Sequence, residues 1–128
     1  MMQDKSISVF LPALNEQDNI KASVISVKKY LAKRFKDYEI LVVANGSTDK
    51  TEGVVSELAK KDKHIKVVNK KIRGYGAALR SGFRYSSKEL IFYTDADLQF
   101  SITDLDKLLP LIDRYDIVSA YRIKRQDP

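Results

Sequence analysis

The sequence predicts an α/β fold, a doubly wound, mainly parallel sheet with helices on both faces. Three observations predict it. Apolar runs of strand length alternate five times with segments whose apolar residues recur at helical spacing, all within 128 residues. The run Glu39 to Ala44 is almost continuously apolar, as a parallel strand covered on both faces should be. The connections are short, and the polar ones follow the strands, where doubly wound sheets bind ligands.

Ser6 to Leu11 reads as the first strand, stopped by Pro12 because proline cannot continue a central ladder. Asn15 is placed to cap a helix whose first turn, Glu16-Gln17-Asp18, carries acids where the helix dipole favours them. Ile20, Val24, Val27 and Leu31 give that helix one apolar face, extended to Phe35. The second strand, Glu39 to Ala44, runs into the turn cluster Asn45-Gly46-Ser47-Thr48-Asp49. Asp49 and Glu52 make a capping-box-like start for a helix carrying Val54, Val55 and Leu58. Ile65 to Asn69 is the third strand. Arg73-Gly74-Tyr75-Gly76-Ala77-Ala78-Leu79 opens a helix that runs through Gly82 and Phe83, and its small residues suit close packing or close approach to a ligand. It is neither a P-loop nor a full dinucleotide fingerprint. Leu90 to Thr94 is the fourth strand. Ser101 or Thr103 then caps a helix with Leu105, Leu108, Leu109 and Ile112 inward, which Pro110 should kink or end. Asp116 to Tyr121 reads as a fifth strand.

The length fits one domain, residues 1–128, large enough to bury roughly two-thirds of its unfolded surface. Cysteine is absent, which excludes disulfides and thiolate metal sites and fits a cytoplasmic address. The start MMQDKSISVF lacks the apolar core of a signal peptide. Net charge is +6, with basic clusters at Lys28-Lys29, Lys33-Arg34, Lys60-Lys61 and Arg122 to Arg125. The first two fall at or near predicted helix ends, where they complement the helix dipole without a partner. Nothing resembles a motif that reads RNA or DNA, so no nucleic-acid partner is expected.

The chemistry centres on Thr94-Asp95-Ala96-Asp97-Leu98-Gln99. Asp95 and Asp97 leave the fourth strand on extended backbone and can lean towards one ligand. Two close carboxylates repel unless a cation lies between them, and hard oxygen donors suit Mg2+ or Mn2+. Such ions keep coordination positions for water and phosphate, so a phosphate-bearing partner is implied. Taken alone, the pair more often marks a turn followed by helix-capping acids. Its setting favours a site, because Asn15 and Glu16, Asn45 to Asp49 and Arg122 all follow strands as well. A phosphoacceptor receiver domain shares the alternation but needs acids where this chain has Leu11-Pro12-Ala13 and Val68-Asn69-Lys70.

Four motifs in order, Phe10-Leu11-Pro12-Ala13-Leu14-Asn15-Glu16, Val43 to Thr51, Gly74 to Gly82 and Thr94 to Gln99, resemble the family 2 glycosyltransferases of GT-A fold, and among them the polyprenyl-phosphate hexose transferases. The resemblance implies the nucleotide-binding half of a GT-A fold, truncated at its C-terminus. It also implies a nucleoside-diphosphate sugar donor, a divalent metal, and transfer of a hexose with inversion to an acceptor such as polyprenyl phosphate, a lipid phosphate. Carried over by position, Pro12, Leu14 and Glu16 line the nucleotide pocket, and Ala44 and Asn45 sit at the base. Asp95 and Ala96 approach the ribose and diphosphate, Asp97 and Gln99 hold the metal beside Asp95, and Arg122 meets the diphosphate. No catalytic base is assigned. Asp104, Asp106 and Asp113 read as helix caps or solvent-facing charge.

The chain departs from the family pattern where Asn45 stands for a frequent Asp and Leu14 for a frequent Tyr, so base preference stays open. The resemblance also implies a peripheral location at the cytoplasmic membrane face. A homodimer is expected if the fourth strand keeps an open pairing edge. The alternative reading is a nucleotide-binding or assembly module without transfer activity.

Overall fold

The structure, a computed structural model, describes residues 2–96 and 101–120. Among the described residues four strands alternate with helices: β1 Ile7–Pro12, α1 Ile20–Arg34, β2 Tyr38–Val43, α2 Thr51–Lys61, β3 Ile65–Val68, α3 Tyr75–Tyr85 and β4 Leu90–Tyr93. A broken helix follows, with 3-10 turns Ile102–Asp104 and Leu109–Leu111 on either side of α4 Leu105–Leu108. All strand pairs are parallel, in the order β3-β2-β1-β4. The order reverses between β1 and β4, and the ligand crevice of such a sheet lies there, beyond the carboxyl ends.

The two central strands are buried along their whole length, which explains their unbroken apolar sequence. Val9, Leu11, Ile40 and Val42 face a layer built from α1, α2 and the segment around Ile102 and Leu105. Phe10, Leu41 and Val43 face α3 through Ala78 and Leu79. The α1 face is as the periodicity predicts: Ile20, Val24, Val27, Leu31 and Phe35 are all buried. Gly82 is required by packing, since a Cβ there would come closer than 3.0 Å to the Phe10 ring. Phe10 stacks on Tyr93 with centroids 5.1 Å apart, and Phe83 meets Phe10 edge-on at 5.2 Å.

One buried carboxylate crosses this framework near the amino ends of the strands. Glu39, paired in register with Ser8, accepts hydrogen bonds from Ser8 Oγ at 2.6 Å, Lys66 Nζ at 2.7 Å, and Ser87 N and Oγ at 2.7 and 2.9 Å. Burial alone would push the Glu39 carboxyl up, but these donors outweigh it and hold the group down at about 2.

Several expectations are corrected. Residues 116–120 form no strand. They line, together with β4 and Leu108, Leu109 and Ile112, a cleft of about 700 Å³. An apolar run needs a pleated neighbour as well as propensity, and Ile117 is instead 85% exposed. Pro12 does not stop β1 from outside but is its last residue, opposite Val43. The next residue, Ala13, donates to Val43 O on the β2 side, so the missing Pro12 N–H faces the side where the β4 ladder has already ended.

Asn15 does not cap α1, which begins at Ile20 after a turn closed by Ile20 N to Glu16 O. The capping box is half formed. Asp49 Oδ1 accepts from Thr51 N at 2.9 Å, whereas Glu52 turns away to Asn69. Neither Ser101 nor Thr103 caps the last helix; their hydroxyls bond each other at 2.7 Å. Pro110 acts as expected, ending the α-helical hydrogen bonding and leaving a 3-10 turn. Lys28 lies within α1 and pairs with Asp62 across to the end of α2, so that cluster is partly an ion pair and not only a dipole complement.

Candidate functional site

The expected residues that the structure describes gather on the carboxyl rim of the sheet. Leu14 and Glu16 follow β1, Ala44 and Asn45 follow β2, and Asp95 and Ala96 follow β4. Because β1 and β4 are neighbours at the reversal of strand order, Leu14 to Glu16 and Asp95 flank the crevice. Asp97, Gln99 and Arg122 lie outside the described residues. The expected set divides by exposure. Leu14 and Asp95 present side chains to solvent and Glu16 is half-buried, while Pro12, Ala44, Asn45 and Ala96 are buried and offer backbone or shape.

The acidic turn after β4 is anchored at both ends. Thr94 N donates to Phe10 O, extending the β1 ladder, and the buried Ser23 hydroxyl of α1 donates to Ala96 O at 3.1 Å. Asp95 between them is held out towards solvent. Partial burial, followed by the nearby Asp95 charge, pushes up the Tyr75 phenol at the start of α3. Among the described residues no group of three or more His, Cys, Asp or Glu could hold a metal ion. Asp95 itself, a hard oxygen donor open on its solvent side, fits a cation that retains water and phosphate ligands.

Asn45 is 4% exposed, and both ends of its amide are engaged. Its Nδ2 donates to Ser81 Oγ at 3.0 Å and its Oδ1 accepts from Lys70 N at 2.9 Å. Next to it, Gly46 has φ +71, a conformation that favours glycine, and the aliphatic stem of Arg73 lies directly over its Cα. Arg73 and Tyr75 are therefore rim residues that sequence reasoning treated only as part of a glycine-containing helix start. The signal available was a cation and a phenol flanking Gly74, directly before a helix that begins on the carboxyl side of the sheet. Asp104, Asp106 and Asp113 are held in ion pairs with Lys107, Arg34 and Lys5.

Residues 8–128 match the sequence model of glycosyl transferase family 2. The chain belongs to that family. Among curated proteins it is 32% identical over 126 residues to an undecaprenyl-phosphate 4-deoxy-4-formamido-L-arabinose transferase of Klebsiella pneumoniae, covering 96% of this chain and 38% of that protein. A protein of the same name from Enterobacter is 34% identical over 125 residues, covering 94% of this chain and again 38% of the relative. The chain thus spans about two-fifths of the length of these relatives.

Among solved structures, a mannosyltransferase from Pyrobaculum calidifontis in complex with GDP-Man and Mn2+ superposes with a TM-score of 0.63 at 26% identity, covering 77% of this chain and 29% of that one. Glucosyl-3-phosphoglycerate synthase from Mycobacterium tuberculosis, with Mn2+, UDP-glucose and phosphoglyceric acid, gives 0.65 at 28% identity, covering 85% and 40%. The family 2 chain described here therefore has the parallel, two-sided sheet of GT-A glycosyltransferases. No helix among the described residues is long and apolar enough to cross a membrane.

Proposed function

We propose that residues 1–128 are the donor-binding domain of a metal-dependent glycosyltransferase that moves a hexose from a nucleoside-diphosphate sugar to a lipid phosphate such as polyprenyl phosphate, with inversion. The observation that carries this reading is the placing of Asp95, an exposed carboxylate fixed between a ladder bond and the buried Ser23–Ala96 tie, at the reversal of strand order opposite Leu14 to Glu16. The transferase names of the curated relatives and the Mn2+ and nucleotide sugars in the solved neighbours support it.

In this reading Pro12, Leu14 and Glu16 line the nucleoside pocket, and Ala44 and Asn45 form its floor. Asp95 and Ala96 approach the ribose and diphosphate, Asp95, Asp97 and Gln99 hold Mg2+ or Mn2+, and Arg122 meets the diphosphate. When bound, the divalent ion neutralises charge on the departing nucleoside diphosphate. The protein's own groups orient and exclude. Tyr75 sets a phenol near the Asp95 charge, Leu14 offers an apolar surface to the base, and Arg73 over Gly46 adds a cation on the nucleoside side of the rim. Association is placed peripherally at the cytoplasmic membrane face. A homodimer is a further expectation, checked by analytical ultracentrifugation.

Incubation of the protein with UDP- or GDP-hexoses, Mn2+ and undecaprenyl phosphate tests the activity. Formation of a lipid-linked sugar with inverted anomeric configuration, seen by NMR, is the expected result. Donor binding without transfer or donor hydrolysis favours the second reading, a nucleotide-binding module.

A further inference from the structure

The first three strands are each followed by an asparagine, and each asparagine does the same thing. Asn15 Oδ1 accepts from Thr48 N at 2.9 Å and Asp49 N at 3.3 Å, reaching from the β1–α1 loop to the β2–α2 loop. Asn45 Oδ1 accepts from Lys70 N at 2.9 Å, reaching from the β2–α2 loop to the β3–α3 loop. Asn69 Oδ1 accepts from Gly46 N at 3.3 Å, reaching back. Donors from the first loop complete the lattice: Glu16 N bonds Thr51 Oγ1 at 2.8 Å and Gln17 N bonds Asp49 Oδ2 at 3.2 Å. Gln17 in turn accepts from Lys50 N at 2.9 Å.

These are not helix caps, because the asparagine bonds run between loops and satisfy backbone donors that water could otherwise reach. Asn15 has φ +53, a left-handed conformation that asparagine tolerates better than most residues, so its own backbone is shaped to make the reach. The donors of Thr51 and Gln17 outweigh the effect of burial and hold the Asp49 carboxyl below the usual range, keeping it an acceptor.

We infer that the three loops form one preorganised rim and that Asn15, Asn45 and Asn69 are positioning residues for the donor nucleoside. They fix Leu14 and Glu16 against Ala44 to Gly46 before any ligand arrives. This rests on the donor-site reading above and assigns the residues that prepare it. A ligand meeting a rim already tied in place does not have to order it, and the affinity gained is lost when a tie is cut. Asn69 is the most useful probe, because it is exposed and its oxygen acts on the rim through Gly46, while its amide nitrogen bonds Glu52 of α2.

The test combines backbone amide exchange at Gly46, Thr48 and Lys70 with calorimetric titration of UDP and GDP in Mn2+, on the wild type and Asn69→Ala. The inference expects faster exchange at Gly46 and Lys70, a dissociation constant raised about five-fold, comparable to one net hydrogen bond, and a nearly unchanged thermal midpoint. Asn69→Asp combined with Glu52→Gln keeps the acceptor oxygen without a new charge clash and should restore affinity. Asn15→Gly, which keeps the left-handed backbone and removes the amide, should repeat the loss from the other end of the lattice. Unchanged affinity in both Asn69→Ala and Asn15→Gly overturns the inference, as does failure of the acceptor-retaining variant to recover. A wild-type protein that binds neither nucleotide while these amides stay protected overturns the donor-site reading instead, and the positioning role falls with it.

Discussion

Replacing Glu39 by Gln isolates a buried electrostatic contribution to the fold. The carboxylate is 1% exposed and held at about 2 against an ordinary 4.5, first against the opposing effect of burial and then by Lys66, Ser8 and Ser87. A depression of that size corresponds to roughly 3 kcal/mol of stability, present above the unfolded pKa. It is lost as pH falls from about 4.5 towards 2, because protonation of the folded state then removes the charge that the donors stabilise. Asp62, also held at about 2 against burial by Lys28 and His64, titrates in the same window, so the wild-type curve alone does not separate the two. The difference between wild type and Glu39→Gln does. Urea denaturation at neutral pH should show the variant less stable by roughly 3 kcal/mol, with the gap closing as pH approaches 3. A gap that stays constant with pH, or a variant as stable as wild type at neutral pH, would refute this account of Glu39.

Gly82→Ala should lower the thermal midpoint strongly, at a cost of about 1–3 kcal/mol, because its Cβ would overlap the Phe10 ring; adding Phe10→Leu should recover part of the loss in a double-mutant cycle. Gly46→Ala, at φ +71 and against a flexible Arg73 side chain, should cost about 1 kcal/mol of stability yet weaken nucleotide binding more visibly, as read by calorimetry. Tyr30→Phe removes the 2.6 Å bond to Asp106 that ties α4 to α1 and should cost about 1 kcal/mol in urea denaturation, leaving nucleotide affinity unchanged.

The sheet was legible in the sequence because its central strands are buried on both faces and so are nearly continuous runs of apolar residues. The α1 face was legible because Ile20, Val24, Val27, Leu31 and Phe35 obey one period. Local rules failed where the partner is remote. Asn15 has the composition of a helix cap, but its oxygen serves Thr48 and Asp49, thirty-three and thirty-four residues away, which no capping rule consults. Residues 116–120 have strand propensity, but a strand also requires a ladder, and they line a cleft beside β4 instead. The bonds of Asn45 to Ser81 and Lys70 were not legible, because both partners lie in other segments of the chain. Tyr75 and Asp95 belong to different crossovers, so the Asp95 charge meets that phenol only after the chain is folded.

The central claim, a metal-assisted donor site on the rim between β1 and β4, is tested most directly by titrating UDP and GDP into the protein with Mn2+ and again with excess chelator. The account predicts saturable binding of one nucleotide that requires the metal and disappears in both Asp95→Ala and Asp97→Ala, with the fold intact by circular dichroism. Binding that survives the chelator or both substitutions, or no binding of either nucleotide, would contradict it.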